Sequence, residues 1–135
     1  MIALRRKISP YTGADLCLGI FSTKDSAHSA KENYIATVKH KDPWARQAYH
    51  EVDLLKDVEL IEIAIDGKQI TGRPDVYLIS EYSDGFGQII RKLKMICFSK
   101  HRAQEFITQL EDEDFSFPTW AELDHFIVDK LYVPT

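Results

Sequence analysis

The chain has 135 residues, of which 44% are hydrophobic and 11% are aromatic, and its formal net charge is −4. This length and apolar content are those of one globular domain and exclude a disordered chain. The small acidic excess gives no support to nucleic-acid binding, which usually requires a basic surface.

The cysteines and the start of the chain favour a cytoplasmic protein. Cys17 and Cys97 each lie in a short apolar run, which is typical of buried free thiols, and two cysteines are too few for a disulfide framework. Charged residues follow directly after the apolar Ile2-Ala-Leu, so no signal-peptide core is expected. No apolar stretch approaches membrane-spanning length, and we therefore expect no membrane contact.

The first half of the chain predicts a strand hairpin followed by a helix. A strand is expected at 2–9, with apolar residues at its first, third and seventh places. A Pro-Tyr-Thr-Gly turn follows at 10–13, and a second strand is expected at 16–21. Ser22 then has the residue type of a helix N-cap. The helix after it places four apolar residues on one face, at Ala27, Ala30, Tyr34 and Val38.

The second half repeats this order at a spacing of about 75 residues. Strands are expected at 76–83 and 89–98, joined by the glycine-containing turn 84–87. Ser99 is the second predicted N-cap. The helix that it opens has its own apolar face, formed by Ala103, Phe106, Ile107 and Leu110.

Each half also contains a Trp-Ala pair and a closing strand. A cap signal and a proline precede the pair at 42–45, and a capping-box pattern covers the pair at 119–122, so both predict a short second helix. The closing strands are expected at 54–65 and 126–133. Within the first of them the apolar alternation slips at Leu60-Ile61, which indicates a β-bulge.

These patterns predict an α+β fold of two tandem ββα(α)β repeats related by a pseudo-twofold axis, with a mainly antiparallel sheet and helices packed on it. Residues 1–66 form the first repeat, 67–75 a linker and 76–135 the second repeat of a single compact domain. The repeats can join edge to edge or face to face, and both arrangements stay open. Two aromatic pairs are expected at equivalent buried positions, Phe21 with Phe98 and Trp44 with Trp120.

The order of an aromatic-serine pair, an amphipathic helix, a tryptophan and a closing strand (Phe126-Ile-Val-Asp-Lys-Leu131 in the second half) resembles small ββαβ modules of uncharacterised bacterial and phage proteins. The resemblance covers each half nearly from end to end. It implies a fold and no assigned reaction. One departure is that Ser99-Lys100 is a residue shorter than Ser22-Thr-Lys24.

The chain contains no Walker loop, Rossmann glycine fingerprint, nucleophile elbow or HExxH sequence, so neither a cofactor nor a metal is expected. An alternative hypothesis is a small enzyme or ligand-binding protein with its site in the cleft between the repeats. Titratable pairs in a cleft can perform acid–base chemistry. The candidates are His50, Glu51, Asp53, Asp124 and His125. Solvated polar residues beside a strand are the simpler explanation.

The leading hypothesis is a non-catalytic protein-binding module, such as a small inhibitor, immunity or adaptor protein of bacterial or phage origin. Each predicted hairpin tip presents an aromatic residue near basic residues, and aromatic side chains are favoured interface anchors. The candidates are Tyr11, Phe86, Arg5, Arg6, Arg91 and Lys92. The partner is an unidentified protein or a second copy of the chain, and the acidic run 111–114 suits a basic partner.

Nucleic-acid binding through the basic hairpins is a third hypothesis. Basic clusters at 5–7 and 91–94 lie on the two predicted hairpins. The net acidic charge and the acidic run 111–114 argue against it. Charges that protect strand edges from aggregation explain these clusters more simply.

Overall fold

A computed structural model of the chain describes residues 1–7, 15–41, 57–69, 72–85, 88–114 and 119–132. In these ranges the chain is α+β. The elements in chain order are β1 (Ile2–Lys7), β2 (Asp15–Phe21), α1 (Lys24–Lys41), β3 (Val58–Glu62), β4 (Ile65–Asp66), β5 (Asp75–Gly85), β6 (Gln88–Cys97), α2 (Lys100–Asp114) and β7 (Thr119–Ile127).

The first sheet has the strand order β2-β1-β3, and both pairs are antiparallel. The hairpin β1–β2 contains a register shift. Leu4 pairs with Gly19, whereas the next residue, Arg5, pairs with Cys17, so the register skips Leu18. Such an extra residue on one strand bends and twists the hairpin locally.

The second sheet has the order β4-β6-β5-β7, in which β4 is parallel to β6 and the other pairs are antiparallel. Its hairpin β5–β6 contains the same kind of shift. Ile79 pairs with Met95, whereas Ser80 pairs with Leu93, so the register skips Lys94. In each sheet the first strand of the hairpin, β1 or β5, lies inside the sheet. It pairs with the second strand of the hairpin on one side and with the strand that follows the helix, β3 or β7, on the other.

Each helix covers one face of its own sheet, as the apolar stripes predict. Tyr34 is fully buried with Ala27 and Ala30 against the first sheet, and Val38 packs at the side of this core. Against the second sheet, Ala103 is fully buried and three larger residues pack around it, at Phe106, Ile107 and Leu110. The helical spacing of these residues is what places them on one side.

The other faces of the two sheets meet in a shared core. Its buried residues come from both halves of the chain and are Ala3, Ile20, Ile63, Val76, Leu78, Ile96 and Phe126. Full burial of each large aliphatic side chain stabilises the fold by roughly 1.5–3 kcal/mol. The sheets therefore face each other.

The chain crosses from the first sheet to the second between β3 and β4. Ile63 donates its backbone N–H to the carbonyl oxygen of Met1 at 2.9 Å, beside β1. One residue later, the carbonyl oxygen of Ala64 accepts the N–H of Ile96 on β6, also at 2.9 Å. The segment between β3 and β4 thus connects the β3 edge of the first sheet to the β4 edge of the second sheet.

A second crossing follows β7 and connects the β7 edge of the second sheet to the β2 edge of the first sheet. The N–H of Asp129 donates to the carbonyl oxygen of Ile20 at 2.8 Å, and the N–H of Tyr132 donates to that of Leu18 at 2.7 Å. Residues 128–132 thus lie along the outer edge of β2, although β7 itself belongs to the second sheet.

The predicted caps are right for one helix and wrong for the other. The Ser99 hydroxyl accepts the backbone N–H of Arg102 at 3.1 Å, which is the bond of an N-cap. In the first helix Thr23, not Ser22, takes this role, because its hydroxyl accepts the N–H of Ser26 at 3.1 Å. Ser22 instead contacts Asp129, at the second crossing of the chain.

The predicted short helix at Trp120 is wrong. Trp120 and Ala121 belong to strand β7, and the closing strand runs from Thr119 to Ile127, not over 126–133. Trp120 pairs with Tyr82 on β5, so long-range pairing overrides the local cap signal. Trp120 is half-buried, whereas the sequence predicts a mostly buried ring. Trp44 lies outside the described residues.

The predicted bulge at Leu60-Ile61 is also wrong. Leu60 pairs with Leu4 and Ile61 with Ala3 without a shift, and the described closing strand runs over Val58–Glu62. Consecutive apolar residues occur because the strand is buried on both faces: Leu60 packs under α1 and Ile61 packs in the core between the sheets.

Phe21 and Phe98, expected at equivalent buried positions, differ in burial. Phe21 and Cys97 are both buried, whereas Phe98 is half-buried.

Neither α1 nor α2, the helices of the described ranges, offers the length of apolar surface that crossing a lipid bilayer requires.

Candidate functional site

The outer edge of the second sheet is partly open. Strand β6 pairs with β5 along its whole length, from Gln88 to Cys97. On its other side, β4 pairs only with Ile96 and Cys97. Among the described residues, no strand covers β6 from Gln88 to Met95, and we call this stretch the β6 edge.

Two of the three exposed large hydrophobic residues of the described chain lie at this edge. Ile89 and Ile90 are 42% and 56% exposed, whereas the third, Ile65, is 49% exposed on β4, beside Ile96 at the other end of β6. Successive side chains of a strand point to opposite faces, so Ile89 and Ile90 leave apolar surface on both faces of β6. No other large hydrophobic residue in the described ranges is so exposed.

The β6 edge is also basic. It contains Arg91, Lys92 and Lys94 and no acidic residue. Lys94 forms an ion pair with Glu81 at 3.1 Å, whereas Lys92 is exposed. The edge therefore combines exposed isoleucines with positive charge.

Arg91 points inward and ties β6 to the other strands of the sheet. Its Nε donates to the hydroxyl of the fully buried Ser80 at 3.0 Å, and its Nη2 pairs with Asp124 on β7 at 3.1 Å. The Arg91 side chain is only 9% exposed. A buried hydroxyl needs a hydrogen-bond partner, and Arg91 supplies it.

Tyr82 lies between Arg91 and Trp120 in one row across the sheet. The rings of Tyr82 and Trp120 stack with centroids 5.5 Å apart and planes 10° apart, and the Arg91 guanidinium lies 5.6 Å from the Tyr82 ring centroid. Burial raises the pKa of Tyr82, and Asp124 and Glu122 add to this effect, although Arg91 opposes it. The phenol therefore stays neutral and suits packing better than proton transfer.

Cys17 approaches this row from the first sheet. Its pKa is raised, first by burial, while Arg91 and Arg5 lower it and Asp124 raises it. The Cys17 Sγ lies 3.8 Å from the carbonyl oxygen of Gly19. A raised pKa keeps the group a thiol, which is a poor nucleophile.

The predicted binding residues of the first hairpin support the fold. Arg5 pairs with Glu59 on β3 at 3.1 Å, and its side chain is only 18% exposed. Arg6 donates to the Tyr34 hydroxyl at 2.6 Å, and its guanidinium lies over the Tyr34 ring. Of the four basic candidates, Lys92 alone is exposed. The two hairpin-tip aromatics, Tyr11 and Phe86, lie outside the described residues.

Asp124 and His125 of the enzyme hypothesis are neighbours on β7 and point to opposite faces. Asp124 contacts Arg91, whereas His125 Nε2 lies 2.7 Å from Asp75 Oδ1 and its ring stacks on Tyr77. The structure therefore does not bring the two together as an acid–base pair. The other three candidates, His50, Glu51 and Asp53, lie outside the described ranges.

His125 lines a shallow cleft with Tyr77, Lys100 and Leu123. The His125–Asp75 pair is about half exposed, and none of these side chains is an activated nucleophile. Across the part of the chain that the structure describes, no three side chains of His, Cys, Asp or Glu are grouped to hold a metal ion.

Sequence reasoning did not single out Ile89 and Ile90. Their signal is the pair of adjacent isoleucines in a strand whose neighbours are polar or charged. In β3 the same signal reflects burial on both faces, because that strand lies under α1. An adjacent apolar pair that is buried on both faces can be told from an exposed pair only when the position of the strand in its sheet is known.

Comparison with protein-family models finds no match for this chain, and neither does comparison with curated proteins or with solved structures.

Proposed function

We propose that this chain is a non-catalytic protein-binding module that binds its partner at the β6 edge. The observation that carries the proposal is the adjacent pair of exposed large hydrophobic residues, Ile89 and Ile90, on the uncovered part of β6. Scattered exposed hydrophobic residues are common, but contiguous ones mark interaction surfaces. The exposed Lys92 beside them supplies charge that steers a partner's approach.

A small cytoplasmic inhibitor, immunity or adaptor protein of bacterial or phage origin fits this proposal. Such a protein needs a stable scaffold and one recognition surface. The two free cysteines, Cys17 and Cys97, suit a reducing compartment, because burial holds the pKa of both thiols high and limits their oxidation.

The test is affinity capture from an extract of the source cells with three forms of the protein. They are the parent chain, an Ile89→Ser, Ile90→Ser variant and the control Ala36→Ser, which changes an exposed residue of α1. We expect at least one protein to be enriched by the parent and the control and lost with the double variant. Equal recovery by all three forms would place the binding surface elsewhere.

The tandem duplication belongs to the same proposal. Both halves share the hairpin-helix-strand order, and the register skips one residue at the corresponding point, Leu18 in β2 and Lys94 in β6. The caps Thr23 and Ser99 also correspond. An experimental structure in which the halves superpose by these residues about a twofold axis would support common descent, and different strand paths would exclude it.

A small ligand between the two sheets is a second candidate function. The observation behind it is that charged side chains from both sheets lie near the Cys17 thiol, with Arg5 from the first sheet and Arg91 and Asp124 from the second. Native mass spectrometry of protein purified from the source tests it. A stoichiometric bound metabolite would favour this function, and a bare chain would count against it.

Nucleic-acid binding is the weakest of the three, because Arg5, Arg91 and Lys94 each have a carboxylate partner. Retention on heparin that weakens steeply with salt would support it, and absence of retention at low salt would exclude it.

A further inference from the structure

We infer that the β6 edge binds an extended, acidic segment of the partner, which adds to the second sheet as a further strand. This inference rests on the proposed function, since it specifies the partner's chemistry at the same surface. It would make the backbone of Gln88–Met95 the main recognition element. The side chains of the edge would then select the partner's sequence.

The chain itself begins this strand addition. Strand β4 is only two residues long and pairs in parallel with Ile96 and Cys97 of β6. Just before it, the carbonyl oxygen of Ala64 accepts the N–H of Ile96 at 2.9 Å. Over the rest of β6, the outward backbone groups have no covering strand among the described residues. An edge of this kind is a template for pairing with another chain.

The side chains of the edge suit an added strand on both faces. Ile89 and Ile90 point to opposite faces, so a strand that paired there would cover apolar surface on each side. A helix or a loop docked on one face of the sheet would cover only one of them. The exposure of both residues therefore favours an extended occupant.

The charge of the edge selects an acidic occupant. Of its three charged residues, Arg91 and Lys94 are already paired with Asp124 and Glu81, so the exposed Lys92 supplies the charge that meets an occupant. Carboxylates on a paired strand would lie directly across from the exposed Lys92, where opposite charges attract and like charges repel.

A second copy of the chain is a poorer occupant. Two β6 edges would oppose basic residues to basic residues. The far edge of the same sheet, β7, is acidic through Glu122 and Asp124, but Asp124 is already paired with Arg91. Pairing β6 with the β7 of the next copy would also be head-to-tail and generate an open chain of molecules.

The test uses the full chain, labelled with ¹⁵N, and a blocked seven-residue peptide of alternating valine and glutamate. One control peptide replaces glutamate with lysine, and another has a central proline, which removes a backbone donor. We expect the acidic peptide to slow amide exchange at alternate residues of Gln88–Met95 at least about tenfold, whereas the proline peptide does not.

A matched pair of variants tests the charge. Lys92→Glu reverses the charge on the edge, and Lys24→Glu makes the same change on exposed α1. We expect Lys92→Glu to bind the acidic peptide about tenfold more weakly than the parent and the lysine peptide more tightly. Lys24→Glu should bind as the parent does. Equal binding of both peptides by the parent would overturn the acidic assignment.

Three further results would overturn the inference. They are no binding of the acidic peptide at millimolar concentration, binding without exchange protection in Gln88–Met95, and protection of this stretch by concentrating the protein alone. The last would identify a second copy as the occupant. None of them bears on the capture experiment with the Ile89→Ser, Ile90→Ser variant, so the proposed function can stand when this inference fails.

Discussion

Asp129 accepts hydrogen bonds from both the backbone N–H and the hydroxyl of Ser22, each at 2.8 Å, across 107 residues of sequence. The same carboxylate accepts the hydroxyl of Ser26 at 3.2 Å, in the first turn of α1. A negative charge at this place complements the helix dipole. The segment after β7 thereby holds the helix of the other half.

Asp66 has the corresponding place at the end of β4, where its carboxylate accepts a hydrogen bond from the Nε–H of Arg102 at 2.9 Å, in the first turn of α2. Each crossing thus brings an aspartate into contact with the start of a helix. The first crossing bonds to β6 of the second sheet, and the second crossing bonds to β2 of the first sheet. Each half of the chain therefore packs against a segment of the other half. The two halves are expected to unfold together.

Replacement of Asp129 by alanine should lower the free energy of unfolding by about 1–2 kcal/mol, because the hydrogen bonds from Ser22 and Ser26 to this carboxylate are lost. Asp129 also has a positive φ of 62°, which asparagine tolerates better than alanine does. Asp129→Asn should therefore cost less than Asp129→Ala. Urea unfolding of the three proteins measures the order, and an equal loss for both variants would contradict it.

A methyl group on Gly19 should disturb the second crossing. A Cβ at this position would lie 2.5 Å from the carbonyl oxygen of Lys130 and 2.9 Å from Cε2 of Phe21. The backbone of residues 128–132 must then move away from β2. We expect Gly19→Ala to destabilise the chain by roughly 1–3 kcal/mol, as overpacking does elsewhere. A thermal midpoint equal to that of the parent would show that this segment is not held against β2.

Stability should fall between about pH 9 and pH 11 through Cys97. Burial, with Asp66 adding to it, raises the pKa of Cys97 from 9.0 to about 11. The unfolded chain then loses this proton before the folded chain does, so the stabilisation is complete below pH 9 and lost as pH rises through 11. The full effect is about 3 kcal/mol at 1.36 kcal/mol per unit.

The comparison of the parent with Cys97→Ala isolates this effect from other groups that titrate in the same range, such as Tyr82. Urea midpoints measured at steps from pH 8 to pH 11 should converge for the two proteins as pH rises, because only the parent loses the Cys97 contribution. Parallel curves would mean that Cys97 does not titrate in this range.

Trp120→Ala should cost about 1–2 kcal/mol, less than the 3–5 kcal/mol typical of a fully buried tryptophan. Trp120 is half-buried, and its ring stacks on that of Tyr82. Trp120→Phe keeps a stacking partner and should recover most of the loss. Chemical denaturation tests both, and a cost for Trp120→Ala above that of Tyr34→Ala, in the core under α1, would contradict the observed packing.

The sequence predicted those parts of the fold that are encoded within single elements. The stripe Ala27, Ala30, Tyr34 and Val38 defines a buried face by its own spacing, and the hairpin strands are right to within two residues where they are described. These features depend on neighbours in sequence.

The predictions that were wrong concern features set by strand pairing between residues far apart in sequence. Residues 119–122 have a capping-box pattern, but Thr119–Ile127 forms a strand because β5 is available to pair with it. Likewise, the exposure of Ile89 and Ile90 depends on β6 lying beside a β4 of only two residues. No local pattern states which strand will be at an edge. The candidate site could therefore be located only in part, through Arg91 and Lys92.

The hairpin tips supply the last prediction, which concerns two residues outside the described ranges. The sequence predicts that Tyr11 and Phe86 each lie at a hairpin tip that contains a glycine, and Phe86 is two residues before Gln88, where the β6 edge begins. Aromatic side chains bury much area at an interface for little loss of rotamer freedom. The double variant Tyr11→Ala, Phe86→Ala should therefore melt within about 2 °C of the parent, as surface changes do, yet lose the partner retained by the parent in affinity capture. A much lower melting temperature would assign these rings to the core. A normal melting temperature with the partner still bound would leave recognition to Ile89, Ile90 and Lys92 alone.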